Sequence, residues 1–259
     1  MNKNEKIDGG RPFDWSKASA DYAKYRDIYP MEFFAPLLEN GMCGKGRRVL
    51  DLGTGTGVLP RALYSFGGKF TAADSAEGQI EQAKLLSEGM DISYICSPSE
   101  KLEFPDESFD DITACQCFFY FDHDKLAYKL SRMLLEKGKL AVLYLGWLPH
   151  EDPIIAESER LIVKYNPAWS GRGETIHKNH IPNVYYEYFR TVMDTASCLE
   201  IPFTREGWHG RIKACRGVGA SMNEETLAAF EAEHKAFLAT LPESFTLKHF
   251  AAITILEKI

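Results

Sequence analysis

Arg47-Arg48-Val49-Leu50-Asp51-Leu52-Gly53-Thr54-Gly55-Thr56-Gly57 is the stretch on which the reading of this chain turns. Val49, Leu50 and Leu52 make a short apolar run, long enough for a buried strand and too short for a helix. Glycines follow at 53, 55 and 57, and residues 58–66 read as an amphipathic helix. Strand, glycine loop and helix in that order open a nucleotide pocket at the carboxyl edge of a doubly wound sheet. Glycine allows the sharp turn and the close approach of backbone to ligand that such a loop needs.

Three ligand types compete for this loop. A phosphate-binding P-loop ends in Gly-Lys-Ser/Thr, and Gly57-Val58-Leu59 does not supply it. A dinucleotide loop has G-x-G-x-x-G, and its sixth position here is Val58. The third pattern is an acid at the end of the strand followed by G-x-G-x-G, which Asp51, Gly53, Gly55 and Gly57 match without a gap. In these residues the sequence resembles the class I S-adenosylmethionine (SAM)-dependent methyltransferases. The resemblance implies a Rossmann-like α/β fold: a mostly parallel seven-stranded sheet with helices on both faces and an antiparallel C-terminal strand. It implies SAM as cofactor, held in part by Asp51, Gly53, Thr54, Gly55 and Gly57.

Residues 69–73 read as the second strand, ending at Asp74, which lies 23 positions after Asp51. An acid near that spacing meets ribose hydroxyls, and a carboxylate accepts two hydrogen bonds, as a vicinal diol requires. Asp74 or Ser75 could also cap the helix expected over residues 76–88, and the two roles are compatible. Both residues are candidates for cofactor binding.

The length of 259 residues suits one large domain with an elaboration, or a domain with a small lid. A hydrophobic content of 45% supports a core, and 26% charged residues is ordinary for a water-soluble chain. No apolar run reaches the roughly 18 residues of a membrane span. Residues 1–11 are polar, lack an apolar signal core and read as frayed, so a cytoplasmic protein is expected. A net charge of -7 argues against a general nucleic-acid surface. The expected partner is therefore a small-molecule substrate, with neither nucleic acid nor membrane, for a monomer or homodimer. The six cysteines show neither zinc spacing nor a disulfide framework, and Cys96 and Cys115 read as buried thiols.

The chain divides into N-terminal cap helices (1–40), a SAM-binding core (41–147), a substrate-lid insertion (148–196) and a C-terminal completion of the core (197–259). Tyr22, Tyr25, Arg26 and Tyr29 repeat at three to four residues and could share a helical face. The order Y-x-x-Y-R-x-x-Y-P resembles the N-terminal cap of small-molecule methyltransferases. It implies that Tyr22 or Arg26 faces the methionine end of SAM and that Tyr25 faces the acceptor. Residues 31–40 make a further helix, ended by Gly41. Residues 91–96 read as the third strand. The S-E-K-L-E-F-P-D-E-S-F-D stretch after it resembles the family's adenine loop, which makes Ser99 and Glu100 candidates there. Pro98 replaces the acid common in that loop and removes a side-chain acceptor.

Residues 111–115 are the fourth strand, and Gln116 at its end would reach the methyl-donor side. Phe119 and Tyr120 stand where relatives often carry His-Trp and are assigned to the acceptor. A helix over residues 122–135, ended by Gly138, leads to a fifth strand over 139–147, whose Trp147 is assigned likewise. His123 reads as a solvated helix-end residue.

Beyond Trp147 the strand–helix alternation stops. Helices are expected over residues 154–165 and 183–196, and strands over 198–203 and 246–256. The last alternates Leu247, His249, Ala251, Ile253 and Ile255 on one face. Asn223 is placed to cap a helix over residues 224–241. His177 and His180 have ligand-like spacing, but no carboxylate or cysteine completes a site, so no metal is assigned.

SAM brings an activated methyl group, so an enzyme of this kind chiefly aligns the acceptor and excludes water. No catalytic dyad is required and none is read, so no catalytic residue is assigned. Arg205, His209, Arg211, Lys213 and Arg216 crowd residues 204–217 in a chain of negative charge. They form either a solvated helix face or a site at which Arg211 holds a substrate carboxylate. Two rival functions remain: a nicotinamide-dependent oxidoreductase, against which Val58 and a closing C-terminal strand speak, and a non-catalytic SAM-binding protein.

Overall fold

The computed structural model describes residues 7–259; residues 1–6, part of the stretch read as frayed, lie outside the described residues. The chain groups into two compact units. One comprises Tyr29–Leu145, His177–Ser197 and Ala251–Ile259; the other comprises Met1–Ile28, Gly146–Ile176 and Cys198–Phe250. Residues 177–197, read from sequence as part of the insertion, thus group with the core.

The described strands form one seven-stranded sheet. They are β1 (Arg48–Leu52), β2 (Lys69–Asp74), β3 (Ile92–Cys96), β4 (Phe109–Cys115), β5 (Leu134–Trp147), β6 (Phe189–Thr204) and β7 (Ser244–Lys258), in the order β3-β2-β1-β4-β5-β7-β6. The pairs β2–β3, β1–β2, β1–β4 and β4–β5 are parallel. Parallel neighbours need crossovers, and helices supply them: α3 (Val58–Leu63), α4 (Glu77–Leu86) and α5 (His123–Met133). β7 enters antiparallel: Arg205 N bonds Glu243 O at one end of the β6–β7 pair and Ile259 N bonds Tyr188 O at the other. This is the Rossmann-like fold with an antiparallel C-terminal strand that the motifs implied.

The core of the first unit follows from composition. Val49, Leu50 and Leu52 on β1 and Ile112 and Ala114 on β4 are fully buried. A strand covered on both faces reads as a continuous apolar run, which is how β1 reads. At its foot, the buried Asp111 carboxylate accepts from Arg47 Nε at 2.6 Å and from the Cys43 amide at 2.9 Å.

The second unit contains α1 (Ser19–Tyr25), α6 (Pro153–Tyr165), α7 (Arg205–Lys213) and α8 (Glu224–Leu238). Its helix starts are chemically marked. Asp152 Oδ1 accepts from Ile154 N at 2.9 Å, Thr204 Oγ1 from Gly207 N at 3.0 Å and Asn223 Oδ1 from Thr226 N at 2.8 Å. Trp208 is its largest fully buried side chain.

Four local expectations are corrected. Residues 183–196 are not a helix: a 3-10 turn (Asn183–Glu187) leads into β6, where β7 supplies the backbone partners that a helix would have supplied internally. α5 ends at Met133, not at Gly138, because Leu134 already pairs with Phe109; the intervening turn is made by Lys137 at φ 60°. α1 stops at Tyr25, so Tyr29 is off the helix, as the preference of a pre-proline residue for extended backbone requires. Cys96 is exposed rather than buried, and the described cysteines are all free. No helix among the described residues is long and apolar enough to cross a membrane.

Candidate functional site

In the first unit the site begins where β1 ends. Gly53, Gly55 and Gly57 have φ of 57°, 56° and 75°, the left-handed region that only glycine enters cheaply. Two of them are also fixed by neighbours. A Cβ on Gly53 would stand 2.6 Å from Cys117 Cβ, and one on Gly57 would strike the Tyr94 hydroxyl. The loop is further tied by Thr54 N to Ala73 O and Gly57 N to Thr54 O, both 2.9 Å.

Asp74 closes this loop from the next strand. Its Oδ2 accepts from Gly55 N at 2.9 Å and its Oδ1 from Ala76 N at 2.8 Å. Burial raises its pKa, against the pull of the amides of Ala76, Gly55 and Ser75. Each oxygen keeps acceptor capacity beyond one amide, so the carboxylate can still meet a diol. Ser75 is exposed. Asp51 is different: it is 1% exposed, and its Oδ1 accepts from Thr113 Oγ1 at 2.6 Å. Burial pushes its carboxyl up to about 7, and the nearby Asp74 charge adds to the rise.

The remaining candidates of this unit sit on the loops after β3 and β4. Ser99 is buried, and Glu100 Oε1 accepts from Asp122 N at 3.0 Å, at the start of α5. Gln116 takes φ 66°, a costly conformation for a side chain of its kind, and donates from Nε2 to Leu145 O at 2.8 Å. Phe119 is 46% exposed, stacks on Tyr120 at 4.3 Å and meets Tyr144 edge-on at 6.1 Å. His123 is half-buried against Phe118 and Tyr185 rather than solvated, and burial lowers its pKa.

In the second unit, Arg211 is not on a solvated face. It is 6% exposed, with its guanidinium 4.8 Å over the Trp147 ring. Trp147 donates through Nε1 to Glu159 Oε1 at 2.6 Å and packs edge-on against Trp208. Arg26 is 7% exposed, with its guanidinium 4.7 Å from the centre of the Tyr22 ring. Tyr25 lies against Gly210 and donates to Glu206 Oε1 at 2.9 Å. The rest of the basic crowd disperses: Lys213 pairs with Glu231 and Asp21, Arg205 with Glu243 and Arg216 with Asp8. His209 is buried too, its Nδ1 2.9 Å from His234 Nδ1, and His234 Nε2 is 3.1 Å from Ser158 Oγ. His249, unassigned from sequence, stacks on Phe203 and faces the edge of Trp208. Its signal was available: a histidine on the apolar face of an alternating strand. Among the described residues no cluster of three His, Cys, Asp or Glu side chains is arranged for a metal.

Comparison with known proteins agrees with this geometry. A family model described as a methyltransferase domain matches residues 50–142. A ubiquinone/menaquinone biosynthesis C-methyltransferase, UbiE, of Laribacter hongkongensis is 34% identical over 112 residues, 40% of this chain and 46% of that protein. A ubiquinone biosynthesis O-methyltransferase of Nitrosococcus oceani is 28% identical over 127 residues, 48% of this chain and 53% of that one. The chain spans about half the length of the curated relatives it matches. The structure of YcgJ from Bacillus subtilis aligns with a TM-score of 0.52 at 19% identity, covering 88% of this chain and 99% of that one. A loop held by an acid on the neighbouring strand, in a sheet whose antiparallel last strand enters beside the fifth, thus meets an independent match over the same residues: the core of this chain is a class I SAM-dependent methyltransferase domain.

Proposed function

We propose that the protein transfers the methyl group of SAM to a small anionic acceptor. The cofactor half rests on one observation, the Asp74 carboxylate bound to Gly55 and Ala76 amides at the open end of the sheet. That arrangement offers ribose an acceptor already oriented by the loop that would lie along the rest of the cofactor. Asp51 supports the loop from below, Thr54 is part of it, and Ser75, Ser99, Glu100 and Gln116 flank the same edge. When bound, SAM supplies a methyl group activated by its sulfonium. The chain's own residues bind, orient and exclude water, so no general base is part of the reading.

The acceptor half rests on Arg211. A guanidinium held buried on an indole face presents its N–H fork edgewise, the geometry that grips a carboxylate. Trp147 then serves as the wall behind it. Tyr22 and Arg26 are proposed for the methionine end of the cofactor, and Tyr25, Phe119 and Tyr120 for the acceptor. The two relatives named above act, by their names, in quinone biosynthesis; their likeness lies in the cofactor core and leaves the acceptor of this chain to its own residues.

The oxidoreductase alternative fits less well. Dinucleotide domains order their strands 3-2-1-4-5-6, whereas here β7 stands between β5 and β6. Calorimetric titration with SAM and separately with NADH tests the cofactor, and tritium transfer from labelled SAM into a metabolite extract tests turnover. Binding of SAM but not NADH, with label recovered in an acidic product, is the expected result. A labelled product that is neutral and hydrophobic refutes the anionic acceptor, and binding without any labelled product leaves a non-catalytic SAM-binding protein.

A further inference from the structure

The second unit holds a buried polar atom that the acceptor reading has not used. His249 is 1% exposed. Its Nδ1 lies 3.1 Å from the Leu247 carbonyl oxygen. A carbonyl oxygen only accepts, so Nδ1 carries the ring proton and Nε2 carries a lone pair. Nε2 is buried and has no hydrogen-bond partner among the described residues. Buried acceptors are ordinarily satisfied, so this one asks for a donor.

Both buried guanidiniums act on this ring. The charges of Arg211 and Arg26 hold the His249 pKa down, after burial itself, so the ring stays neutral at physiological pH. Three groups of one unit thus converge: two cations, each over an aromatic ring, and one neutral acceptor. A bare carboxylate satisfies the cations but has nothing to donate to Nε2. A neutral alcohol satisfies Nε2 but leaves the cations without a counter-charge.

We infer that the acceptor is a hydroxycarboxylic acid with its carboxylates toward Arg26 and Arg211 and its hydroxyl donating to His249 Nε2. This moves Arg26 from the cofactor to the acceptor. It rests on the methyltransferase reading only in calling the ligand an acceptor, since the three residues lie in one unit.

The test uses matched pairs that differ by one hydroxyl, malate (both enantiomers) against succinate and citrate against tricarballylate. Each is titrated calorimetrically into the full chain with and without S-adenosylhomocysteine. At least one hydroxy acid should bind roughly tenfold more tightly than its partner, the worth of one well-made hydrogen bond. His249→Phe should remove that preference while both acids still bind. Arg26→Lys and Arg211→Lys should weaken both acids alike, with circular dichroism confirming the fold. No binding of any acid, equal binding within both pairs, or a preference that survives His249→Phe overturns the inference. If the acids behave as stated but S-adenosylhomocysteine does not bind, the methyltransferase reading fails and the hydroxy-acid site stands.

Discussion

The Asp74 carboxylate and the Gly55 amide, 19 residues apart, are joined by a hydrogen bond of 2.9 Å. The acid that would meet the ribose is therefore also the acid that shapes the glycine loop. Asp74→Ala removes both functions, and SAM affinity should fall by about 1.5–3 kcal/mol, the range for a hydrogen bond to a charged group. Asp74→Asn, which keeps one carbonyl acceptor, should lose less. Calorimetry on both variants, with urea unfolding as the control for fold, checks this; undiminished affinity in Asp74→Ala removes the residue from the site.

Tyr94 limits what can stand at position 57. Gly57→Ala places a methyl group on the Tyr94 hydroxyl and forces a left-handed residue to carry a side chain. Stability should drop by about 1–3 kcal/mol. Adding Tyr94→Phe removes the struck oxygen, and the double variant should recover part of the loss although Tyr94→Phe alone forfeits the bond to Ser87. If the two changes simply add, the loop is not seated on Tyr94.

Three buried histidines set an acid limit. Burial lowers His209 to about 4, His234 to about 3 and His249 to about 4, against about 6.5 in an unfolded chain. Below about pH 6.5 the unfolded state takes up protons that the folded state refuses. Stability from these rings is therefore full above that pH and falls as the pH drops toward 4. Urea midpoints measured from pH 7.5 to 4.5 should decline, and His234→Asn should flatten the decline. An unchanged slope in that variant would show that His234 does not titrate as stated.

Asp51 works in the opposite direction. Its folded pKa, raised to about 7, lies above the ordinary carboxylate range, so the folded state takes up a proton between about pH 7 and 4 that the unfolded chain does not. That uptake partly offsets the histidines as the pH falls. Asp51→Asn should therefore be more stable than the parent at pH 7.5 and show a steeper decline on acidification. A parallel pair of curves would place the Asp51 pKa near its ordinary value.

The cofactor loop was legible because everything it needs is local. An apolar run, an acid, three alternate glycines and a second acid 23 positions on are written in one dimension. The parallel strands were legible for the same reason, each being a short apolar run with a helix after it. Burial of Arg211 was not legible, since it depends on Trp147, 64 positions earlier, lying under its guanidinium. The strand at 189–204 was misread as helix because β6 is an edge strand whose side chains are mostly half-exposed, so no clean alternation marks it, while aromatics at helical spacing precede it. Glu100 looked like a ligand contact by its loop, yet its carboxylate is engaged with the Asp122 amide, a partner no spacing rule names.

Cys117 and Tyr94 give the glycine pattern a meaning beyond ligand binding. Gly53 and Gly57 are required by side chains of the protein itself, whether or not a cofactor ever arrives. A descendant that abandoned methyl transfer would still have to keep both glycines to fold, while its acid at position 74 would be free to drift. The G-x-G-x-G signature is thus a receipt for the architecture, and the carboxylate beside it is the better witness to chemistry.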